Sequence, residues 1–119
     1  MTPEEIKSQL DQFNGSENYF KHPLIKGVVY TDGVREMAQI CKSYWLIDAC
    51  LSWQLDKKVS NQEFQVFKLK VHEDKSATLN IEDGNYNIIA KQEIEFTDFP
   101  LDEIELYFSN SVLYLPSEH

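Results

Sequence analysis

Apolar positions along the chain follow first a helical and then a strand-like spacing. Ile6, Leu10 and Phe13 recur at helical intervals near the N-terminus. Thr2-Pro3-Glu4-Glu5 precedes them as a capping box with proline at the first helical position, and Asn14-Gly15 follows as a stop. A helix is expected over residues 3–13. Residues 16–30 carry no clear period; Pro23 disfavours helix at His22, and Val28-Val29-Tyr30 has the form of a short strand. Next, Val34, Met37, Ala38, Cys41 and Trp45 form one stripe, with Ile40, Tyr44, Ile47 and Leu51 beside it. Arg35, Glu36, Gln39, Lys42 and Ser43 take the solvated side. This pattern predicts one long central helix, capped by Thr31 or Asp32 and running to Trp53, with its second half buried almost all round.

After a polar linker from Leu55 to Asn61 the period becomes two. Gln65, Phe67, Leu69 and Val71 alternate with Lys68, Lys70 and His72. Ala77, Leu79 and Ile81 alternate with Thr78, Asn80 and Glu82, and Ile88, Ala90, Ile94 and Phe96 with Ile89, Lys91, Glu93 and Glu95. Ile104, Leu106 and Phe108 continue, and Val112 to Leu115 closes the series before Pro116. Asp83-Gly84 and Asn110-Ser111 are expected as two-residue hairpin turns. The predicted fold is α+β: an N-terminal helix and one long central helix packed on an antiparallel β-meander of about five strands, residues 1–119 forming a single domain.

Composition supports a folded chain: 42% of the 119 residues are hydrophobic and 26% charged. The longest nearly apolar run, Tyr44 to Leu51, holds Asp48 and falls short of the roughly 20 residues that span a bilayer. The acidic N-terminus lacks signal-peptide form, so a cytoplasmic protein is expected. Charge changes the picture more. Residues 1–75 hold eleven acids and ten bases, whereas residues 76–119 hold nine acids and one base, Lys91. The dense stretch is Glu93, Glu95, Asp98, Asp102, Glu103 and Glu105. Such a surface repels nucleic acid and attracts basic partners, or it simply solvates the fold. Lys57, Lys58, Lys68 and Lys70 offer only a local basic strip, so direct nucleic-acid binding ranks as a lesser alternative.

Candidate chemistry is sparse. Asp48, placed in the most apolar part of the long helix, needs a partner or a proton; a structural tie is the favoured role and a site carboxylate the alternative. His22 could pair with it if residues 16–30 fold over the helix. Cys41 and Cys50 fall on opposite sides of one helix and are expected buried and reduced. His22, His72 and His119 lack metal-ligand spacing, and no glycine-rich phosphate loop exists, so no metal or cofactor is expected. Tyr107 and Tyr114 lie opposite each other across the Asn110-Ser111 turn, and Phe64 and Val66 share the outward parity. An aromatic patch beside an acidic rim suits protein binding, unless the N-terminal helix covers it.

Several motifs together resemble a family of short bacterial and phage proteins known only as a domain of unknown function. They are Glu17-Asn18-Tyr19-Phe20-Lys21-His22, Tyr30-Thr31-Asp32-Gly33-Val34, Tyr44-Trp45-Leu46-Ile47-Asp48-Ala49, Phe64-Gln65-Val66-Phe67 and Leu113-Tyr114-Leu115-Pro116-Ser117-Glu118. The resemblance implies a setting, a small accessory protein of phages and mobile elements, and no catalytic residue. The function expected is non-enzymatic: inhibition of a host defence or nucleic-acid-processing protein, in the manner of an anti-CRISPR, by an acidic sheet surface that occupies a basic nucleic-acid-binding channel. Glu93, Glu95, Asp98, Asp102, Glu103, Glu105, Tyr107 and Tyr114 would form that surface. The alternative is a small-ligand binder or enzyme built on Asp48 and His22.

Overall fold

A computed structural model describes residues 1–14 and 18–118. Helix α1 (Pro3–Leu10) begins as its sequence dictates: Thr2 Oγ1 accepts from the Glu5 amide, and the Glu5 carboxylate accepts from the Thr2 amide. It ends at Leu10, before the expected Phe13, and Gly15 lies outside the described residues. Two short strands follow, β1 (Tyr19–Lys21) and β2 (Val29–Thr31), then α2 (Asp32–Cys41) and α3 (Tyr44–Ser52). Thr31 caps α2 by accepting from the Val34 amide.

The long central helix is therefore two helices. Lys42 adopts the left-handed conformation, φ 53°, and the Ser43 amide donates to Ala38 O, a bond that closes a helix end. Phase explains the break. In one continuous helix, Asp48 would fall on the stripe of Val34, Met37 and Cys41, inside the core. Restarting at Tyr44 turns Leu46, Ile47, Cys50 and Leu51 inward. Asp48 then faces water, its side chain 67% exposed, which corrects the expected burial. Cys41 and Cys50, on separate helices, both face the core as free thiols.

The expected linker is itself ordered. A 3-10 turn, Trp53–Leu55, leads into the four-residue helix α4 (Lys57–Ser60), capped by Asp56. Strands β3 (Phe64–Val71), β4 (Ala77–Asp83), β5 (Ile88–Ile94), β6 (Glu103–Ser109) and β7 (Val112–Tyr114) complete the chain, before a 3-10 turn at Pro116–Glu118. Among the described residues, all seven strands join one sheet in the order β1-β2-β7-β6-β3-β4-β5. Every neighbouring pair is antiparallel except β2–β7, so the sheet is mixed and is not a five-stranded meander.

The two expected hairpins differ in outcome. Asn110 and Ser111 both have positive φ, as a tight two-residue turn requires, and Ser109 pairs with Val112. Asp83-Gly84 instead opens a longer loop to Ile88. Asp83 Oδ1 accepts from the Asn85 and Asn87 amides, and Oδ2 from the Asn87 side chain. The register then shifts, with Ile81 opposite Ala90 but Glu82 opposite Ile88. That bulge takes Ile88 off the inner face, where alternation had placed it. Phe96, beyond the strand, is likewise exposed.

All the helices pack on one face of the sheet. Phe67, Leu69, Leu79, Ile81, Leu106 and Leu113 form one apolar cluster with Leu10, Met37, Leu46, Leu51 and Val59. Each such buried side chain contributes roughly 1.5–3 kcal/mol. Gln65 also points inward and is fully tied, exchanging hydrogen bonds with Gln54 at 2.7 and 3.0 Å and donating to Val59 O at 2.8 Å. Val66 is buried but stands apart from that cluster, because it faces the other way. Helix α1 contributes Ile6 and Leu10 to the core, so it packs with the other helices. No helix among the described residues is long and apolar enough to cross a membrane.

Candidate functional site

The outer face of the sheet carries an aromatic ladder. Register places Val66 opposite Tyr107 and Tyr107 opposite Tyr114, as alternation predicts. The Phe64 and Tyr107 rings meet edge to face at 5.1 Å, and Tyr107 and Tyr114 at 5.8 Å. Gly84 closes against the ladder; a Cβ there would stand 3.3 Å from Phe64 Cδ2. Burial, reinforced by Tyr107, raises the Tyr114 hydroxyl above its ordinary range.

Charged side chains surround the rings in a mixed pattern. Glu103 and Glu105 lie across β6 from Lys70 and Lys68, and Glu93 and Lys91 extend from β5 beside Thr78 and Asn80. Lys68 is the hub. Its Nζ lies 3.3 Å from Glu82 and 3.5 Å from Glu105, and 5.7 Å from the centre of the Tyr86 ring. Partial burial opposes that charge, but the hydrogen bond to Glu82 and the two carboxylate charges outweigh it and hold the ammonium above the usual lysine range. A depression of about 170 Å³ lies between Phe64, Val66, Glu82, Tyr86, Glu105 and Tyr107.

Of the predicted acidic residues, Glu93, Glu103 and Glu105 thus share one face with Tyr107 and Tyr114. Glu95, Asp98 and Asp102 lie exposed in the connection after β5. The sheet face is not purely acidic, because β3 sets Lys68 and Lys70 among the carboxylates. Lys68 shares the outward parity of Phe64 and Val66, whereas Tyr86 belongs to the site although alternation does not reveal it. The signal available for Tyr86 was its place just past Asp83-Gly84, in a loop that must stand on an outer edge. The basic strip does not assemble: Lys57 and Lys58 sit on α4, on the helix side, whereas Lys68 and Lys70 point outward.

His22 and Asp48 do meet. His22 Nε2 lies 2.8 Å from Asp48 Oδ1, with the imidazole side chain only 7% exposed. The opposite nitrogen, Nδ1, accepts from the Leu24 and Ile25 amides at 3.0 and 3.1 Å. Two N–H donors on Nδ1 fix the proton on Nε2, which donates to Asp48. The ring therefore has no lone pair left to take a substrate proton. Chemically the pair pins the turn after Pro23 to α3. Around it, Phe20 and Tyr30 stack at 5.7 Å, and the Arg35 guanidinium lies 4.6 Å from the Phe20 ring centre. Burial, then the Tyr44 and Asp48 charges, raise the Tyr30 hydroxyl against the opposing pull of Arg35.

Among the described residues, no three His, Cys, Asp or Glu side chains are grouped to hold a metal ion; His72 instead bonds Thr78 at 3.0 Å, and His119 lies outside the described residues. No curated protein and no solved structure matches the chain. A family model matches residues 4–119, and the chain belongs to that family, a family of unknown function (DUF6876).

Proposed function

We propose that this chain is a non-enzymatic binding domain that docks a basic protein segment on its outer sheet face. The observation that supports this most is the edge-to-face ladder of Phe64, Tyr107 and Tyr114 on the sheet face opposite the helical core, bordered by carboxylates. Aromatic rings supply anchor area, and Glu93, Glu103 and Glu105 supply direction for a cationic partner. Lys68 shows the chemistry in miniature: the fold itself seats an ammonium between two carboxylates and a tyrosine ring. If the chain acts from a phage or mobile element, the partner would be a host defence or nucleic-acid-processing protein with a basic surface. The role would then be inhibition by occupation of that surface.

Parallel affinity captures from the lysate of a bacterium that carries the gene test this. The baits are the native chain, a Tyr107→Ala/Tyr114→Ala variant, a Glu103→Lys/Glu105→Lys variant and a Tyr44→Ala control on α3. A protein retained by the native and control chains, and lost at least about tenfold by both outer-face variants, is expected. Equal retention on all four baits would rule out the outer face.

A further inference from the structure

The two edges of the sheet are unlike. At one end β1 has three residues; at the other β5 has seven. Soluble proteins keep open edges short, covered or charged, because unpaired backbone groups template pairing with another chain. β5 is long, and two exposed apolar side chains flank its course, Ile88 at 55% and Phe96 at 65%.

Its sequence is complementary to itself. From Ile88 to Phe96 the residues are Ile-Ile-Ala-Lys-Gln-Glu-Ile-Glu-Phe. In an antiparallel pair centred on Gln92, Lys91 stands opposite Glu93 of a second copy, and Glu93 opposite Lys91. Ala90 stands opposite Ile94. Both charged residues project from the outer face, since their partners on β4 are Asn80 and Thr78. Thr78 Oγ1 donates to Glu93 at 3.1 Å and holds that carboxylate in place. On the inner face Gln92 is fixed by a 2.8 Å hydrogen bond from Trp53. Neighbouring registers fail on charge. Centring on Lys91 opposes two lysines, and centring on Glu93 opposes two glutamates, each destabilising in a cross-strand pair. Odd offsets would turn one copy's outer face to the other's inner face.

We propose that β5 seats a two-fold homodimer in which two copies share one continuous sheet, joined at Lys91–Glu93 pairs on either side of Gln92. The dimer places two outer faces side by side, but it stands whether or not those faces bind a partner.

Sedimentation equilibrium over a concentration series tests it, with circular dichroism confirming that each variant folds. The native chain is expected to show a dimer. Lys91→Glu and Glu93→Lys, alone, set like charges opposite each other and should each weaken dimerisation about tenfold or more. The double variant Lys91→Glu/Glu93→Lys swaps the pairs and should restore it. Mixing the two single variants should yield a heterodimer stronger than either homodimer, because each then faces its opposite charge. A native chain that stays monomeric at the highest concentration overturns the proposal. So does a dimer indifferent to the single reversals, or one the double swap does not recover.

Discussion

At the scale of single residues, the pairing of His22 with Asp48 shows how hydrogen-bond donors decide a role that residue type leaves open. A histidine beside a carboxylate is the minimum for acid–base work, and sequence alone cannot separate that from a structural tie. The two amides on Nδ1 separate them. Nitrogen-resolved NMR of the imidazole at neutral pH should therefore show the Nε2–H tautomer with Nδ1 unprotonated. The Nδ1–H tautomer would contradict the assignment. Substitution should follow the same logic. Asp48→Asn keeps an oxygen that accepts from Nε2–H and should cost only a few tenths of a kcal/mol. Asp48→Ala strands a nearly buried donor and should cost about 1 kcal/mol or somewhat more. Urea unfolding measures both, and equal costs would mean that the bond does not hold the turn.

Among the elements, the strands were legible and the helix break was not. Period-two alternation located β3, β4 and β6 because one face of each is buried by helices and the other is not. The parallel pairing of β2 with β7 joins residues 29 and 112, and no local pattern encodes a contact at that separation. Strand β1 is too short for a period to show. The break at Lys42 escaped because neither glycine nor proline marks it and two apolar stripes run through it without interruption. Asp48 was the available signal: a carboxylate that a continuous helix would bury is an argument for a change of phase. The break makes a prediction of sign. In a helix interior, Lys42→Gly would destabilise by roughly 1 kcal/mol. At a left-handed corner, glycine relieves the Cβ clash, and the substitution should be neutral or stabilising by up to about 1 kcal/mol. Thermal or urea unfolding reads the sign directly, and a clear loss of stability would restore the single helix.

For the whole molecule, the uneven charge of the sequence does not become an equally uneven surface. The acids of residues 76–119 meet Lys68 and Lys70 because β6 and β4 flank β3, an arrangement invisible before the strand order is known. Glu82 depends on this most, since its side chain is only 9% exposed beside Lys68. The acid-side groups whose pKa values are lowered, Glu5, Asp74 and Asp83, are held down chiefly by hydrogen bonds from Thr2, Ser76 and Asn87. Their small contribution is present above the ordinary carboxylate range and fades as pH falls through the lowered values. The alkaline side carries the larger change. Burial pushes the Cys41 thiol from 9.0 up to about 11, and pushes Cys50 further in the same direction. Tyr30 and Tyr114 are raised as well. Each of these groups keeps its proton longer in the folded chain than in the unfolded one, so stability is lost as pH rises past the unfolded values. Lys68, also raised, acts in the same direction. Stability should therefore decline above about pH 9. Cys41 alone should account for roughly 1 kcal/mol of the decline by pH 10. Urea titrations of the native chain and of Cys41→Ala at pH 8 and pH 10 test this together. The native chain should lose more stability between the two than the variant does, by about that amount. Parallel losses in both chains would show that the Cys41 thiol is not withheld from water by the core.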